Sequence, residues 1–149
     1  MKVNPENFTY QAWQAIIDAK DLALNENHQT LETEHLFYCL LKNNEVTIKA
    51  IESSGGKVKN ILIDIAEFIK KQPKMQKPQG SVFFGKDISL SISKANNIKK
   101  VFQDNFISSE HLVISLFEDE RVCHRLFEQN HINRNSLLEA IKAIRGDKK

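Results

Sequence analysis

The sequence predicts an all-α fold of eight helices, built as two tandem four-helix repeats packed about a pseudo-twofold axis. Three observations predict it. Thr33-Glu34-His35-Leu36 returns as Ser109-Glu110-His111-Leu112, 76 positions later. At that offset, without a gap, Phe8 meets Phe84, Ile16 meets Ile92, Ala19 meets Ala95, Leu40 meets Leu116, Leu62 meets Leu138 and Ile65 meets Ile141, so one unit occurs twice. Apolar residues recur at helical spacing, and no alternating pattern lasts a strand's length outside Ser81 to Phe84. A repeat of this size has too little core to stand alone. The two copies are therefore expected to pack face to face in one domain over 1–149, with repeat one at 8–71, a linker at 72–83 and repeat two at 84–146.

Each element has a local reason. Thr9 caps a first helix in which Ala12, Ile16, Ala19 and Ala23 trace one stripe, with Trp13 and Ile17 alongside, and the polar stretch Asn25 to Thr30 ends it. Thr33 and Ser109 are favoured N-cap residues, which would put Glu34 and Glu110 at the first helical position, where a carboxylate meets the positive end of the helix dipole. Leu36, Phe37, Leu40 and Leu41 then open an amphipathic helix to about Lys42, as Leu112, Val113, Leu116 and Phe117 do in the second copy. A short helix from Val46 ends at Gly55-Gly56. Val58, Ile61, Leu62, Ile65, Phe68 and Ile69 give the fourth helix the clearest period in the chain.

Lys70 to Gly80 contains Pro73, Pro78 and four lysines without an acid, and reads as a solvated linker. Ile88, Ile92, Ala95 and Phe102 rebuild the first helix, Val122 to Asn130 the third and Ser136 to Arg145 the fourth, stopped by Gly146.

Composition excludes several classes of function. Hydrophobic residues at 41% and charged residues at 27% give a globular balance, and a formal charge of +2 argues against nucleic acid or anionic lipid as partners. No apolar run approaches the roughly 18 residues needed to cross a bilayer, so no membrane is expected, and Met1-Lys2-Val3-Asn4-Pro5 has no signal-peptide core. Cys39 and Cys123 occupy non-equivalent places in the two copies beside apolar residues and read as reduced core residues. Lysine over arginine, with abundant Asn and Ile, suggests an AT-rich coding sequence. The expected compartment is bacterial cytoplasm, or an organelle matrix or stroma (plastid, apicoplast or mitochondrion) reached with a trimmed transit peptide.

Catalysis by this chain alone is not expected. Gly80 to Asp87 satisfies seven positions of the nucleotide-binding G-x-x-x-x-G-K-[ST] loop, but Asp87 stands where a hydroxyl must hold Mg²⁺, and a linker precedes it instead of a buried strand. His35 with Cys39, and Cys123 with His124, offer soft metal ligands, yet Ser115 stands opposite Cys39, and Thr47 and Ile48 opposite the second pair, so no ligand set repeats. Glu34-His35 and Glu110-His111 are adjacent on a helix, about 100° apart, and are not preset to share a proton. No catalytic residue, cofactor or metal is assigned.

An interaction module remains, and its copies differ. Gln103-Asp104-Asn105-Phe106-Ile107-Ser108 precedes the second tetrad, where the first copy reads Asn27-His28-Gln29-Thr30-Leu31-Glu32 and lacks both the acid before the loop and the aromatic. Phe106 and Ile107 can staple the helix entry, while Asp104 can be a solvated residue or a binding group.

Phe8-Thr9-x-x-Ala12-Trp13, Leu31 to Leu36, Lys71-Gln72-Pro73, Phe106 to Leu112 and the closing Ala140 to Gly146 together resemble the Clp N-terminal repeat domain family. The longer Lys70 to Phe84 linker and the Ala-Ile-Arg-Gly ending favour its ClpB-type, protein-disaggregating branch over the protease-linked ClpC-like branch. The resemblance implies a substrate-binding module that precedes two AAA+ ATPase modules in a hexameric ring, captures unfolded or aggregated polypeptide for threading, works with adaptor proteins, and is a monomer when isolated. ATP and Mg²⁺ would belong to those modules. The resemblance also implies site residues: Asp104 and Glu110 as substrate-linked acids, Ile98 and Phe106 as groove residues. From ClpC-like relatives that bind phosphorylated arginine through a Thr and a Glu in each repeat, it implies Thr9 with Glu34, and Gly85 with Glu110, where Gly85 departs from the pattern.

Overall fold

The computed structural model describes residues 3–77 and 80–146, so Met1, Lys2 and Pro78 of the sequence reading lie outside the described residues. Eight α-helices are found there: α1 (Tyr10–Asn25), α2 (Thr33–Asn43), α3 (Glu45–Ser53), α4 (Val58–Lys71), α5 (Lys86–Val101), α6 (Ser109–Phe117), α7 (Cys123–Gln129) and α8 (Arg134–Arg145). The starts of α1, α2 and α4 recur 76 positions later as those of α5, α6 and α8. The backbone keeps the same register: Asn27 and Gln103 are both left-handed, as are Gly55 and His131. No described helix is long and apolar enough to cross a membrane.

The helices start and stop for local reasons, with corrections to the expected boundaries. Thr9 caps α1, its hydroxyl accepting from the Ala12 N–H at 3.2 Å. Ala12, Ile16, Ala19 and Ala23 are buried as expected, but Ala15 joins them where Ile17 stays exposed. The tetrad helices are capped one residue earlier than expected, at Glu32 and Ser108, so Thr33 and Ser109 are already helical. Asn44 and Asn133 cap α3 and α8, accepting from the N–H groups of Thr47 and Ser136 at 2.9 and 2.8 Å; α8 therefore begins two residues before Ser136. Helix α4 runs through Lys70 and Lys71. The following segment is anchored and not merely solvated: Lys74 Nζ donates to the Glu26 carboxylate at 2.9 Å and the Met75 N–H to the Asn27 carbonyl at 2.8 Å.

Helices α2 and α6 sit at the centre, buried on nearly all sides, and the remaining helices wrap them. The repeats are interlocked. Helix α3 packs on α8 of the other repeat, and α4 on α7. A strand missed by periodicity, β1 (Thr30–Leu31), pairs in parallel with β2 (Phe83–Phe84), which falls within the expected 81–84 stretch; its symmetry mate is the Phe8–Ile107 bridge. The N–H of Gly85 accordingly donates to the Leu31 carbonyl and that of Thr9 to the Ile107 carbonyl, both at 2.9 Å. Phe37 of α2 meets Phe127 of α7 with ring centroids 5.0 Å apart, which joins the two halves of the apolar core.

Near the axis the repeat must break its own symmetry. Gly56 and Ile132 are equivalent positions, and the Ile132 side chain fills the space where a Cβ on Gly56 would lie. One large and one absent side chain fit where two large ones would not. Gly56→Ala should therefore destabilise the fold by about 1–3 kcal/mol through overpacking, and Ile132→Val should relieve part of that loss in the double variant. Urea midpoints of the four proteins measure it; equal losses from Gly56→Ala in both backgrounds would show that the two positions do not share this space.

Candidate functional site

The tetrads build the polar interior of the domain. The Thr33 hydroxyl donates to Asp119 Oδ2 at 2.9 Å, and Asn44 Nδ2 donates to the Ser109 hydroxyl at 2.8 Å, so each tetrad hydroxyl is held by the opposite repeat. Glu34 is fully buried, and its two oxygens accept from Arg121 Nε and Nη2 at 2.8 and 3.1 Å. Arg121 also lies 5.7 Å above the Phe68 ring. Burying a lone carboxylate would be prohibitive, and the bidentate guanidinium makes it tolerable.

The tetrad histidines are N-cap partners. The Glu32 N–H donates to His35 Nδ1 at 2.9 Å and the Ser108 N–H to His111 Nδ1 at 2.8 Å. An accepting Nδ1 places the proton of each neutral ring on Nε2. His35 Nε2–H then donates to His28 Nδ1 at 2.9 Å, and His111 Nε2–H to Asp104 Oδ2 at 2.8 Å. His28 and Asp104 are equivalent positions, so one scaffold carries a neutral acceptor in repeat one and an anionic acceptor in repeat two.

The six expected site residues divide into three groups. Asp104 and Glu110 come together around Arg145 at the end of α8: Asp104 Oδ1 and Oδ2 accept from Nη2 and Nη1, both at 2.9 Å, and Glu110 Oε2 accepts from Nη1 at 3.3 Å. This guanidinium holds the Asp104 carboxyl below its ordinary range. Asp104 is thus neither merely solvated nor a free rim acceptor, because both of its oxygens are already bonded.

Ile98 lies beside this cluster, in the wall of an open groove of about 830 Å³ between the C-terminal half of α5 and α8. Val101, Phe102, Leu138 and Ala143 share the walls, and Ile114 of α6 also lines it. Val101 is 80% exposed, an unusual state for valine on a folded surface. Phe106 is half exposed but does not line the groove, and the neighbouring Ile107 is buried.

Thr9 and Glu34 are not brought together. Thr9 starts α1 and bonds to Ile107 before the second tetrad, while Gly85 bonds to Leu31 before the first and presents its bare Cα to the Glu32 carboxylate. The Thr and Glu partners are therefore crossed between repeats relative to the expected pairing. Around Glu34 lies a smaller polar cavity of about 250 Å³, lined by His28, Thr30, Glu32, Gln72 and Arg121 among others. Burial pushes the Glu32 carboxyl up. Cys39 and Cys123 are buried free thiols, the former pushed up to about 12 by burial, which makes both unreactive.

Arg145, Val101 and Leu138, which line the groove, and Arg121, which holds Glu34, are side chains that sequence reasoning passed over. In the Gly80 to Asp87 string, Phe83–Phe84 is a two-residue, partly exposed strand, and Gly85 caps α5 directly.

The buried histidines predict an acid-sensitive fold. Burial, reinforced by the charge of His28, pushes His35 down to about 3, and burial lowers His28 and His111 as well. A histidine whose folded pKa is depressed contributes stability that is present above its unfolded value near 6.5 and is lost as pH falls toward the folded one. Asp104, also depressed, acts with the same sign at lower pH, and Glu32, raised, opposes it, because its contribution falls as pH rises above its ordinary value of 4.5. The melting temperature should fall steadily from pH 7 to pH 5, and a flat or rising profile would count against neutral buried histidines. Arg121→Ala should cost about 3–5 kcal/mol, because it strands Glu34; Arg121→Ala together with Glu34→Gln should recover much of it in denaturant unfolding.

The chain matches the family described as Clp repeat (R) N-terminal domain over residues 7–130. It is 36% identical over 149 residues to chaperone protein ClpB of Prochlorococcus marinus, covering 100% of this chain and 17% of that protein. It is also 36% identical over 146 residues to the chloroplastic ClpB2 of Oryza sativa subsp. japonica, covering 97% of this chain and 15% of that protein. The chain thus spans about a sixth of the length of these relatives and corresponds to their N-terminal region. Its fold superposes on the crystal structure of the Hsp104 N-terminal domain from Candida albicans with a TM-score of 0.84, at 17% identity, over 96% of this chain and 94% of that one. The gapless repeat, the eight interlocked helices and these likenesses agree: the chain belongs to the Clp repeat N-terminal domain family, in its ClpB-type branch.

Proposed function

We propose that this domain captures unfolded or aggregated polypeptide in the groove between α5 and α8 and presents it to AAA+ modules of a longer, hexameric, ATP-dependent disaggregase. The observation that carries this reading is the open groove of about 830 Å³, in which Ile98, Val101 and Leu138 remain accessible on an otherwise well-packed domain. Unfolded chains offer apolar side chains in no fixed order, and a shallow apolar groove can bury them without a specific sequence. Affinity should be weak, tens of micromolar or above, because a mobile segment loses entropy on capture. The units of this module are repeat one at 8–71 and repeat two at 84–146, with 72–83 between them. The domain itself has no catalytic role here, and ATP turnover would lie outside the chain. Bacterial and chloroplastic relatives support bacterial cytoplasm or plastid stroma as its compartment.

A ClpC-like phosphoarginine receptor is the alternative, and the polar cavity at Glu34 is what favours it. Against it, Glu34 and Glu110 already carry the guanidinium groups of Arg121 and Arg145. Millimolar phosphoarginine is expected to leave the amide spectrum unchanged, and saturable shifts at Glu34 or Arg121 would restore this alternative.

Ile98→Arg and Leu138→Arg should each weaken binding of a reduced, carboxymethylated model protein about tenfold or more, with little change in melting temperature. Ile63→Arg, on the exposed face of α4, should bind like the parent. Fluorescence anisotropy with labelled substrate measures all three, and parent-like affinity in both groove variants would remove the groove from consideration.

A further inference from the structure

The groove is framed by charge at both ends, and the frame exists in only one repeat. At the start of α8, Arg134 Nε lies 3.5 Å from a Glu118 oxygen whose partner oxygen lies 3.6 Å from Lys94 Nζ of α5. All three are substantially exposed, so this end contributes little. At the far end Arg145 is bonded by both oxygens of Asp104, which follows α5, and by Glu110 of α6, with its guanidinium stacked 5.0 Å from the Phe102 ring centroid. Asp104 is fixed in turn by His111, whose imidazole is fully buried. The repeat-one equivalents of Arg145, Asp104 and Phe102 are Ile69, His28 and Glu26. There the loop after α1 is held by Lys74 and Met75 of the following segment instead.

We propose that Arg145 is a positioning residue for the groove, and that Asp104 influences substrate through it and not by accepting hydrogen bonds from substrate. The inference rests on the groove reading above. Each Asp104 oxygen already accepts from Arg145, and Oδ2 also accepts from His111, so little acceptor capacity is left for a substrate amide. Arg145, by contrast, lines the groove directly. Its planar fork ties the last turn of α8 to the residues that follow α5, and its stacking holds Phe102 as the end wall. Helix α8 packs on α3 and α6, and the groove separates it from α5, so this tie sets how far apart the two walls stand at that end. A lysine would keep the charge but lose both the fork and the stacking.

The test is a double-mutant cycle in the whole 149-residue chain, read as affinity for the carboxymethylated model protein well below each variant's melting temperature. Asp104→Ala and Arg145→Ala should each weaken binding about five- to tenfold, and the double variant should be no weaker than either single one, since both remove the same tie. Arg145→Lys should behave like Arg145→Ala, because it loses the fork and the stacking. Methyl NMR signals of Ile98 and Leu138 should move alike in the two alanine variants, a readout that a general loss of stability does not reproduce. Multiplying effects in the double variant, or parent-like binding by Arg145→Ala, would overturn the proposal. Leu138→Arg separates the two levels: if it binds like the parent, the groove reading fails; if it loses binding while Arg145→Ala does not, only the role of Arg145 fails.

Discussion

Thr33 bonds to Asp119, Ser109 to Asn44, and Glu34 to Arg121, and in every case the partner comes from the opposite repeat. These groups lie in the centre of the domain, where an unpaired hydroxyl or carboxylate is costly, so neither repeat can satisfy its own polar interior. The exchanged packing of α3 on α8 and α4 on α7, and the two crossed strand pairings, extend the same reciprocity through the backbone. A single repeat would expose both its apolar face and the buried ends of its polar bonds, and the cooperative unit is therefore the pair.

Once the scaffold is locked in this way, small substitutions at equivalent positions can give the repeats different duties without disturbing the helices. Replacing the neutral acceptor His28 with the anionic Asp104 changes nothing in the backbone, since both follow a left-handed residue and both receive a tetrad histidine. It does change what else can be held. An anion recruits Arg145, whose guanidinium organises Phe102 and the end of α8, whereas the neutral histidine pair leaves repeat one a polar junction beside the cavity at Glu34. The segment after α4 then anchors on the repeat-one loop, through Glu26 and Asn27.

The two arginines illustrate how context decides the worth of an ion pair. Arg121 neutralises a carboxylate with no solvent access, so its loss leaves a charge in the core. Arg145 bonds to carboxylates that retain some exposure, and its larger consequence is geometric: it fixes one end of a groove whose other end is bridged only by exposed ion pairs. Stability resides mainly in the first and shape in the second. That division lets the domain hold its fold while the groove between α5 and α8 stays open.

How much of this was legible in the sequence follows from the range of each interaction. Helix type, order and number depend on local periodicity and capping, so Thr9, Gly146, the stripe through Ile61, Ile65 and Ile69, and the 76-residue offset were enough to determine the fold class, while the family was implied by the resemblance of short motifs such as Phe106 to Leu112. The cap was misplaced by one residue because Thr33 and Ser109 are good capping types whose hydroxyls are used instead across the axis. The two-residue strand β1 is too short to show a period, and its pairing is set by a partner 53 positions away, from Thr30 to Phe83. Ile98, Asp104 and Glu110 were named from the sequence, but not the arginine that joins the two acids to the groove. A repeat offset is equally compatible with helices packing within a copy or between copies. Only the tertiary structure decided that Glu34 belongs to Arg121, that Thr9 faces the second tetrad and that Asp104 closes on Arg145, because these contacts are chosen by which surfaces meet in the folded core and leave no trace in local spacing.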